Sequence, residues 1–306
     1  MKGAELTDVT VIVPAHRAAA TIDRTLASIA AQTLPPKAVV VVDDGSDDDT
    51  YDAARRWEGR LGGAALSVFR QPHAGAGAAR NRALKEAETE FVAFLDADDE
   101  WLPGKLERSM AEIRGTDNIL VAHDSWQIEA GKETRIASAR RFRAGIAAPF
   151  VALYRRGFID TSTVVARRDA VRSEGGFDTT LPNAQDFELW LALLRRPGSK
   201  FHVFDEPLSR YHVTSGSIMS HIERRRRCCM EIAGRYVFDL RDHPGSPLLS
   251  LWFRALAAHF EAITAFRQRG EIAMLARTLL VLPANILAAT FAYLTGRRPA
   301  RRPGLQ

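Results

Sequence analysis

Cysteine is almost absent from this chain of 306 residues. The only two cysteines, Cys228 and Cys229, are neighbours, and adjacent cysteines seldom form a structural disulfide. This shortage excludes a small protein built on a disulfide framework and fits a reducing compartment. No apolar segment precedes the first predicted strand at residues 9–13, so we expect no signal peptide and predict a cytoplasmic location.

Several reactive motifs are also missing. The eight histidines show no H-E-x-x-H spacing, and no G-x-S-x-G or cysteine–histidine pairing is present, which argues against zinc proteases and covalent hydrolases. The formal net charge of +5 comes largely from two arginine-rich runs, residues 224–227 and 297–302. No aromatic residues are interleaved with these arginines as in a nucleic-acid-binding module, so we predict no nucleic-acid partner.

What the first hundred residues contain is a regular alternation of strands and helices. Apolar, β-branched runs at residues 9–13, 38–42, 66–70 and 91–95 predict four strands, and amphipathic segments between them predict helices. Such alternation predicts an α/β fold with a mostly parallel sheet and helices on both faces.

The pattern is looser after residue 100. We predict a helix at 103–114, strands at 118–122, 163–165 and 201–204, a helix at 186–194, an irregular region at 124–160, and helices from residue 217 onward. The apolar segment 278–294 is shorter than the ~20 residues that span a bilayer. We predict that it packs in the core; the alternative is contact with a membrane surface, aided by the arginines that follow it.

Three carboxylates follow the fourth predicted strand: Asp96, Asp98 and Asp99. Open α/β sheets bind ligands at the carboxyl ends of their strands. If the strand continued, Asp96 and Asp98 would point to the same face. Divalent cations accept one or two carboxylates together with substrate phosphates, so the cluster suggests a metal–diphosphate site. The alternative is a solvated turn that caps the next helix.

Three other patterns contain candidate site residues. Asp43 and Asp44 end the second strand in a tight turn with Gly45, where a carboxylate can accept a hydrogen bond from a nucleoside or simply stabilise the turn. The loop at Gly75 resembles a dinucleotide-binding glycine loop, but Arg80 stands at the third glycine position. An arginine there is suited to donate hydrogen bonds to a nucleotide or phosphate. Asp186 begins an amphipathic helix, as a helix cap or as a general base.

Taken together, the ordered motifs resemble those of the family 2 glycosyltransferases, which have the GT-A fold. The matching segments are VTVIVPAHR, VVVVDDGSDDDT, AGAGAARNRAL, FVAFLDADDEW, GGFD and QDFELW, which cover roughly residues 8–217. The resemblance implies a GT-A domain at residues 1–217 with a C-terminal helical extension at 218–306. It also implies a metal-dependent, inverting, hexosyltransferase-type reaction from a nucleotide-diphosphate sugar, usually UDP-linked, in bacterial polysaccharide or glycoconjugate biosynthesis.

The resemblance also implies roles for individual residues. Asp186 matches the catalytic base, Asp98 would hold Mn²⁺ or Mg²⁺, and Asp99 would support it. The nucleotide-sugar site would be formed by Pro14, His16, Asp43, Asp44, Arg80 and Asp96. The chain departs from the family pattern at Gln185, where a glutamate is common, and at residues 211–214, which lack the usual arginine and histidine.

The implied partners are a UDP-sugar donor and a glycan or lipid-linked acceptor. The C-terminal helices would pack on the domain, form an oligomer, or contact the inner face of the cell membrane. Two other functions are consistent with the sequence. The Gly75 loop allows an NAD-dependent oxidoreductase, and the altered segment at 211–214 allows a scaffold that binds a nucleotide sugar without turnover.

Overall fold

The computed structural model describes residues 6–142, 148–213, 221–301 and 305. The first part of the chain alternates as predicted: β1 (Thr7–Ala15), α1 (Ile22–Ala30), β2 (Pro36–Asp44), α2 (Thr50–Arg55), β3 (Ala65–Gln71), α3 (Ala76–Glu86) and β4 (Phe91–Phe94). The order of these strands in the sheet is β3-β2-β1-β4, and all of them are parallel.

The middle of the chain extends the sheet. It contains β5 (Glu100–Trp101), α4 (Lys105–Ile113), β6 (Asn118–Glu129), β7 (Lys132–Ile136), α5 (Ser138–Arg141), α6 (Pro149–Arg156), β8 (Val165–Arg167), α7 (Arg168–Ser173), α8 (Gln185–Leu194) and β9 (Lys200–His212). Strands β8, β6, β9 and β5 continue the sheet beyond β4, and β7 pairs with β6. Several of these pairs are antiparallel, so the complete α/β sheet is mixed.

The irregular region predicted at 124–160 is wrong for the residues that the structure describes. Strand β6 runs on to Glu129, pairs with β7, and is followed by two short helices. The strand extends because its first half is buried between neighbouring strands, whereas its second half is supported by β7 and β9. Those long-range hydrogen bonds leave little trace in the local sequence pattern.

Alternate residues of the central strands enter two apolar cores, one on each face of the sheet. Val9, Val11 and Val13 pack on one face, whereas Ile12 packs with Val40 on the other. The strand sequences are continuously apolar because both faces are covered by helices. The carboxyl ends of β1, β2 and β4 therefore open together at one edge of the sheet.

Three helices end the described chain: α9 (Ile222–Tyr236), α10 (Pro247–Gln268) and α11 (Ile272–Leu294). Helix α9 contributes Cys229, Ile232 and Tyr236 to one of the two sheet cores. The prediction that residues 278–294 pack in the core is wrong. Thr278 is the one buried residue among those of α11, and the helix is long and apolar enough to cross a membrane by length and composition.

Candidate active site

The carboxylates after β4 lie in a tight turn. Because β4 ends at Phe94 and the Asp99 amide donates to the carbonyl of Asp96 (3.0 Å), the prediction that Asp96 and Asp98 share a face of a strand is wrong. Asp96 and Asp98 are half-buried at the sheet edge, whereas Asp99 is buried beneath them. The turn thus separates one interior carboxylate from two that line the open edge.

A short 3₁₀ helix, Thr161–Thr163, holds this turn in place. The Ser162 hydroxyl donates to Asp99 Oδ2 (2.6 Å) and accepts the backbone N–H of Asp96 (3.2 Å). The Ser162 carbonyl accepts the indole N–H of Trp101 (2.7 Å). One residue of this helix therefore fixes both ends of the acidic turn.

The same 3₁₀ helix contacts the candidate base. Asp186 lies in the first turn of α8, partly exposed, and its Oδ2 accepts the hydroxyl of Thr161 (3.0 Å). An N-terminal helix position favours a carboxylate because of the helix dipole. Asp186 and the Asp96–Asp99 turn thus bond to consecutive residues, although 87 positions separate Asp186 from Asp99 in the sequence.

Asp160 is a further acidic residue of this site, and the sequence analysis missed it. Its carboxylate caps the 3₁₀ helix by accepting the N–H of Ser162 (3.1 Å). Burial raises the pKa of Asp160 to about 7, and the negative charges of Asp96 and Asp186 add to the shift. Burial, followed by the charge of Asp160, also raises the pKa of Asp99 well above its usual range.

A buried cation lies near these acids. Lys105 is fully buried in α4, and its Nζ is 4.1 Å from the centre of the Trp101 ring, a cation–π contact. Burial lowers the pKa of Lys105 well below its usual range, and the charge of Asp160 opposes that shift. The charge of Asp160 thus favours the protonated form of Lys105, whereas burial disfavours it.

Arg80 lies at the edge of the same cluster. Its guanidinium pairs with Asp96 Oδ1 (2.5 Å), is almost fully buried, and lies over the ring of Phe177. The prediction that Arg80 and Asp96 belong to one site agrees with this contact. A direct contact of either residue with a nucleotide stays a prediction.

The other predicted nucleotide-binding residues lie at the ends of β1 and β2. Pro14 is buried in β1, and Asp43 is buried and pairs with Arg70 (3.0 Å). Asp44 is buried as well, and its carboxylate accepts the N–H groups of Ala74 (3.0 Å) and Gly75 (2.7 Å). In the structure Asp44 therefore organises the glycine loop, whose first amides are directed to a carboxylate of the protein.

Two histidines meet above this loop. The rings of His16 and His73 are 4.4 Å apart, and both are close to the Asp44 carbonyl. The exposed His16 was predicted from the family resemblance. His73 was not, because it follows β3 and comes beside His16 only through the pairing of β2 with both β1 and β3. Together the two rings form an aromatic surface at the sheet edge.

The altered segment at 211–214 begins beside the acidic turn. The His212 backbone N–H donates to Asp99 Oδ1 (3.1 Å), and the His212 ring contacts Glu100 (3.1 Å). Thr214 lies outside the described residues, as does the boundary predicted near residue 217. Strand β9 therefore braces the acidic turn from the side opposite to Ser162.

The cluster fits a divalent cation that is shared with a substrate. Within the described part of the chain, no group of three or more His, Cys, Asp or Glu residues is arranged to hold a metal ion. Mg²⁺ and Mn²⁺, however, commonly bind one or two carboxylates together with substrate phosphates. The half-buried Asp98, beside Asp96 at the sheet edge, offers such a ligand.

The GGFD motif attaches the site to α9. The side-chain amide of Asn81 in α3 donates to the carbonyl of Phe177 and accepts its N–H, both at 2.8 Å. Asp178 forms an ion pair with Arg235 of α9 (2.6 Å), and both side chains are buried. The motif is therefore a structural link between α3 and α9.

Comparison with curated proteins finds bacterial glycosyltransferases. The chain is 28% identical over 216 residues to the putative teichuronic acid biosynthesis glycosyltransferase TuaG of Bacillus subtilis, covering 70% of this chain and 82% of the relative. It is 27% identical over 214 residues to WfaP of Escherichia coli, named a UDP-Glc:α-D-GlcNAc-diphosphoundecaprenol β-1,3-glucosyltransferase, covering 70% of this chain and 80% of the relative.

Solved structures share the fold. TarS of S. aureus, in complex with UDP-GlcNAc, matches with a TM-score of 0.66 at 21% identity, over 96% of this chain and 93% of the other. The mannosyltransferase PcManGT of Pyrobaculum calidifontis, in complex with GDP-Man and Mn²⁺, matches with a TM-score of 0.61 at 21% identity, over 96% and 89%. These likenesses confirm the predicted glycosyltransferase fold, GT-A.

The family assignment comes from the sequence itself. The model of the family described as "Glycosyl transferase family 2" matches residues 10–174, which contain β1, the acidic turn, the 3₁₀ helix and most of the sheet. The dinucleotide interpretation of the Gly75 loop is therefore not needed to explain the motif. This chain belongs to glycosyltransferase family 2.

Proposed function

We propose that this glycosyltransferase moves a sugar from a UDP-linked donor to a hydroxyl of a lipid-linked glycan, with inversion at the anomeric carbon. The observation that carries the proposal is the bonding of Asp186 and of the acidic turn to consecutive residues, Thr161 and Ser162. This arrangement supports a donor site and a base at one sheet edge. The names of TarS and WfaP, which specify UDP-GlcNAc, UDP-Glc and a diphosphoundecaprenol acceptor, support the substrate classes.

The donor would lie across the carboxyl ends of β1, β2 and β4. The paired rings of His16 and His73 offer a stacking surface for the base, as aromatic side chains often do. Asp44 holds the neighbouring loop in position, and Arg80 pairs with Asp96 at the edge. Asp43 would contribute indirectly, by stabilising the turn after β2, because its Oδ1 accepts the N–H of Ser46 (3.0 Å).

Asp98 would hold Mn²⁺ or Mg²⁺ together with the donor diphosphate, and Asp99 would support Asp98 from the interior. When bound, such an ion neutralises the charge that develops on the leaving diphosphate. The Mn²⁺ in the PcManGT complex supports this choice of cofactor.

Asp186 would remove the proton from the acceptor hydroxyl. The acceptor oxygen then forms a bond to the anomeric carbon while the bond from that carbon to the diphosphate oxygen breaks. The nucleoside diphosphate leaves on the opposite face, and the proton stays on Asp186 until it passes to solvent. A positioned base of this kind contributes about 10²–10⁴-fold to the rate.

The first test is calorimetric titration of UDP, GDP, dTDP and NADH, with and without Mn²⁺. The proteins are wild type, Asp98→Asn and Asp186→Asn, with Asp52→Asn, an exposed residue of α2, as the control for the same chemical change. We expect Mn²⁺-dependent UDP binding that Asp98→Asn loses and the other two variants keep. Binding of NADH without metal, and of no nucleoside diphosphate, would overturn the proposal.

The second test separates an enzyme from a scaffold. With UDP-sugars and a diphosphate-linked lipid acceptor, we expect Asp186→Asn to lose about 10²–10⁴-fold in turnover while Asp52→Asn does not change. The anomeric configuration of the product, read by NMR, should be opposite to that of the donor. Donor binding by wild type without any transfer would favour the scaffold instead.

We also propose a cytoplasmic location at the inner face of the cell membrane, where a lipid-linked acceptor would be accessible. We propose residues 1–217 as the GT-A glycosyltransferase domain, in which residues from about 100 to 217 would shape the acceptor site and carry the base, and residues 218–306 as a C-terminal helical extension.

A further inference from the structure

Helix α10 has an apolar side that the protein leaves exposed. Its members are 37–70% exposed and follow the spacing i, i+3, i+4, i+7, i+11: Leu249, Trp252, Phe253, Leu256 and Phe260. Residues at this spacing lie on one side of a helix. The opposite side is buried through Leu251, Ala255 and Ala258.

Helix α11 has a similar exposed side. Leu280, Leu287, Phe291 and Leu294 are 60–79% exposed and recur at i, i+7, i+11 and i+14. The other side of α11 faces the protein, because Thr278 is buried and the Asn285 amide contacts His259 of α10 (3.0 Å). The exposed apolar side chains of α11 therefore lie on one side of a helix whose other side packs against α10.

The two apolar sides are continuous. The indole N–H of Trp252 donates to the Thr290 hydroxyl (2.9 Å), so the edges of the two exposed sides meet. We call the exposed apolar side chains of α10 and α11 the hairpin face. An apolar surface of this extent on a soluble protein usually marks a place where something binds.

Glu261 and Glu271 beside the hairpin face are paired with Arg254 and Arg269, and the unpaired charges there are basic. Arg277 is the one charged residue within α11, and Arg267 continues the α10 side seven residues after Phe260. Arg297 follows the end of α11. In the part of the chain that the structure describes, these three arginines make no ion pair. A basic rim around an apolar surface complements anionic lipid head groups.

Helix α10 is linked to the candidate site through α9. Ile222 of α9 packs with Phe266 of α10. Arg225 of α9 lies 3.7 Å from the centre of the Phe158 ring, which contacts Phe187, the neighbour of Asp186. These contacts connect the buried side of α10 to the helix that carries the candidate base.

We propose that the hairpin face docks on an anionic lipid bilayer, with α10 and α11 lying in the plane of the interface. Contacts of α11 with α10 through Asn285 and Trp252 favour a helix lying on the membrane over one that leaves the protein to cross it. A second copy of this chain would instead bring unpaired arginines together at the rim. The proposal rests on the proposed function for its purpose, because a lipid-linked acceptor resides in the bilayer.

The test is flotation of the full chain with vesicles of phosphatidylcholine alone or mixed with phosphatidylglycerol. We compare wild type with the double variant Leu280→Glu/Leu287→Glu. The matched control is Ala27→Glu/Ala31→Glu, which adds the same charges at two exposed positions in and next to α1. We expect wild type and control to float with the mixed vesicles and the hairpin variant to bind at least tenfold more weakly.

A triple variant, Arg267→Gln/Arg277→Gln/Arg297→Gln, tests the basic rim. We expect roughly fivefold weaker binding to the anionic vesicles for each arginine removed, with little change on phosphatidylcholine. UDP titration of the same variants keeps this test separate from the proposed function, because donor binding should not change. Equal flotation of wild type and hairpin variant, no flotation of wild type, or a dimer in solution that the hairpin variant dissociates would overturn the proposal.

Discussion

At the scale of single residues, the site is a group of acids whose charges the protein compensates unevenly. Arg80 pairs with Asp96, whereas Asp160 has capping hydrogen bonds but no ion pair within the described residues. The pKa of Asp160 is raised to about 7 from an ordinary value of 3.8. Burial and the neighbouring negative charges therefore make the ionisation of Asp160 unfavourable in the folded state.

We predict that Asp160→Asn stabilises the protein at pH 8 and has no such effect near pH 3. A raised folded-state pKa means that the contribution of Asp160 to stability is fully present below its unfolded pKa and is lost as the pH rises to about 7 and above. The amide oxygen of Asn can still accept the Ser162 N–H. The gain at pH 8 is at most about 4 kcal/mol in the free energy of unfolding.

Urea unfolding of both proteins between pH 3 and pH 8 measures this difference. Asp52→Asn, on the exposed side of α2, should show no difference that depends on pH in this way. A constant offset between Asp160→Asn and wild type across the whole range would contradict the prediction.

At the scale of elements, turns and ion pairs between helices fix the site. Gly45 follows β2 with φ of 72°, and a Cβ there would lie 2.7 Å from the backbone nitrogen of His73. The turn after β2 and the His73 loop can therefore approach only because residue 45 has no side chain.

We predict that Gly45→Ala destabilises the protein by more than Gly59→Ala. Gly59 has the same φ of 72°, but a Cβ there meets nothing within 4 Å. The control thus carries only the conformational cost of about 1–2 kcal/mol, and the difference in the free energy of unfolding measures the contact with His73. Equal values for the two variants would show that the loop gives way at no cost.

A second prediction concerns the ion pair between the GGFD motif and α9. Arg235→Met leaves Asp178 charged and buried, so we expect a loss of about 3–5 kcal/mol in the free energy of unfolding. Arg17→Met removes an exposed pair with Asp47 of similar length (2.8 Å) and should cost less than about 1 kcal/mol. Denaturant unfolding compares the two variants. Equal losses in the free energy of unfolding would mean that the buried ion pair stabilises the protein no more than the exposed one.

At the scale of the whole molecule, the C-terminal helices share the core of the sheet. Cys228, Cys229 and Ile232 of α9 belong to the same buried cluster as Ile12 and Phe94. Residues on both sides of the proposed boundary near residue 217 therefore share one core, and the boundary marks a difference in proposed role. Arg301 strengthens the link by pairing with the buried Glu188 of α8 (2.7 Å).

We predict that a fragment of residues 1–217 does not fold stably by itself. Removing α9 exposes apolar core residues and takes away Arg235, the ion-pair partner of Asp178. Circular dichroism and limited proteolysis of the fragment, beside the full chain, measure this. A fragment with the melting temperature of the full chain would contradict the shared core and support two independent domains.

Much of this protein follows from its local sequence. Continuous apolar runs such as 39–42 and 91–95 determine the parallel strands because both faces of the sheet are covered. The order of the motifs determines the family, and the residues at strand ends, including Asp44 and Asp96, determine which edge of the sheet carries the site. These features depend on neighbours along the chain, so a single sequence contains them.

Other features exist only in the tertiary structure. Asp160 comes near Asp96 because β8 pairs with β4, and His73 meets His16 because β2 pairs with both β1 and β3. Asp99 turns inward because Ser162 and the His212 backbone supply its hydrogen bonds. The apolar pattern of α11 did not distinguish a core helix from an exposed one, because hydrophobicity records what a side chain favours, whereas the packing of α9 and α10 decides which side is covered.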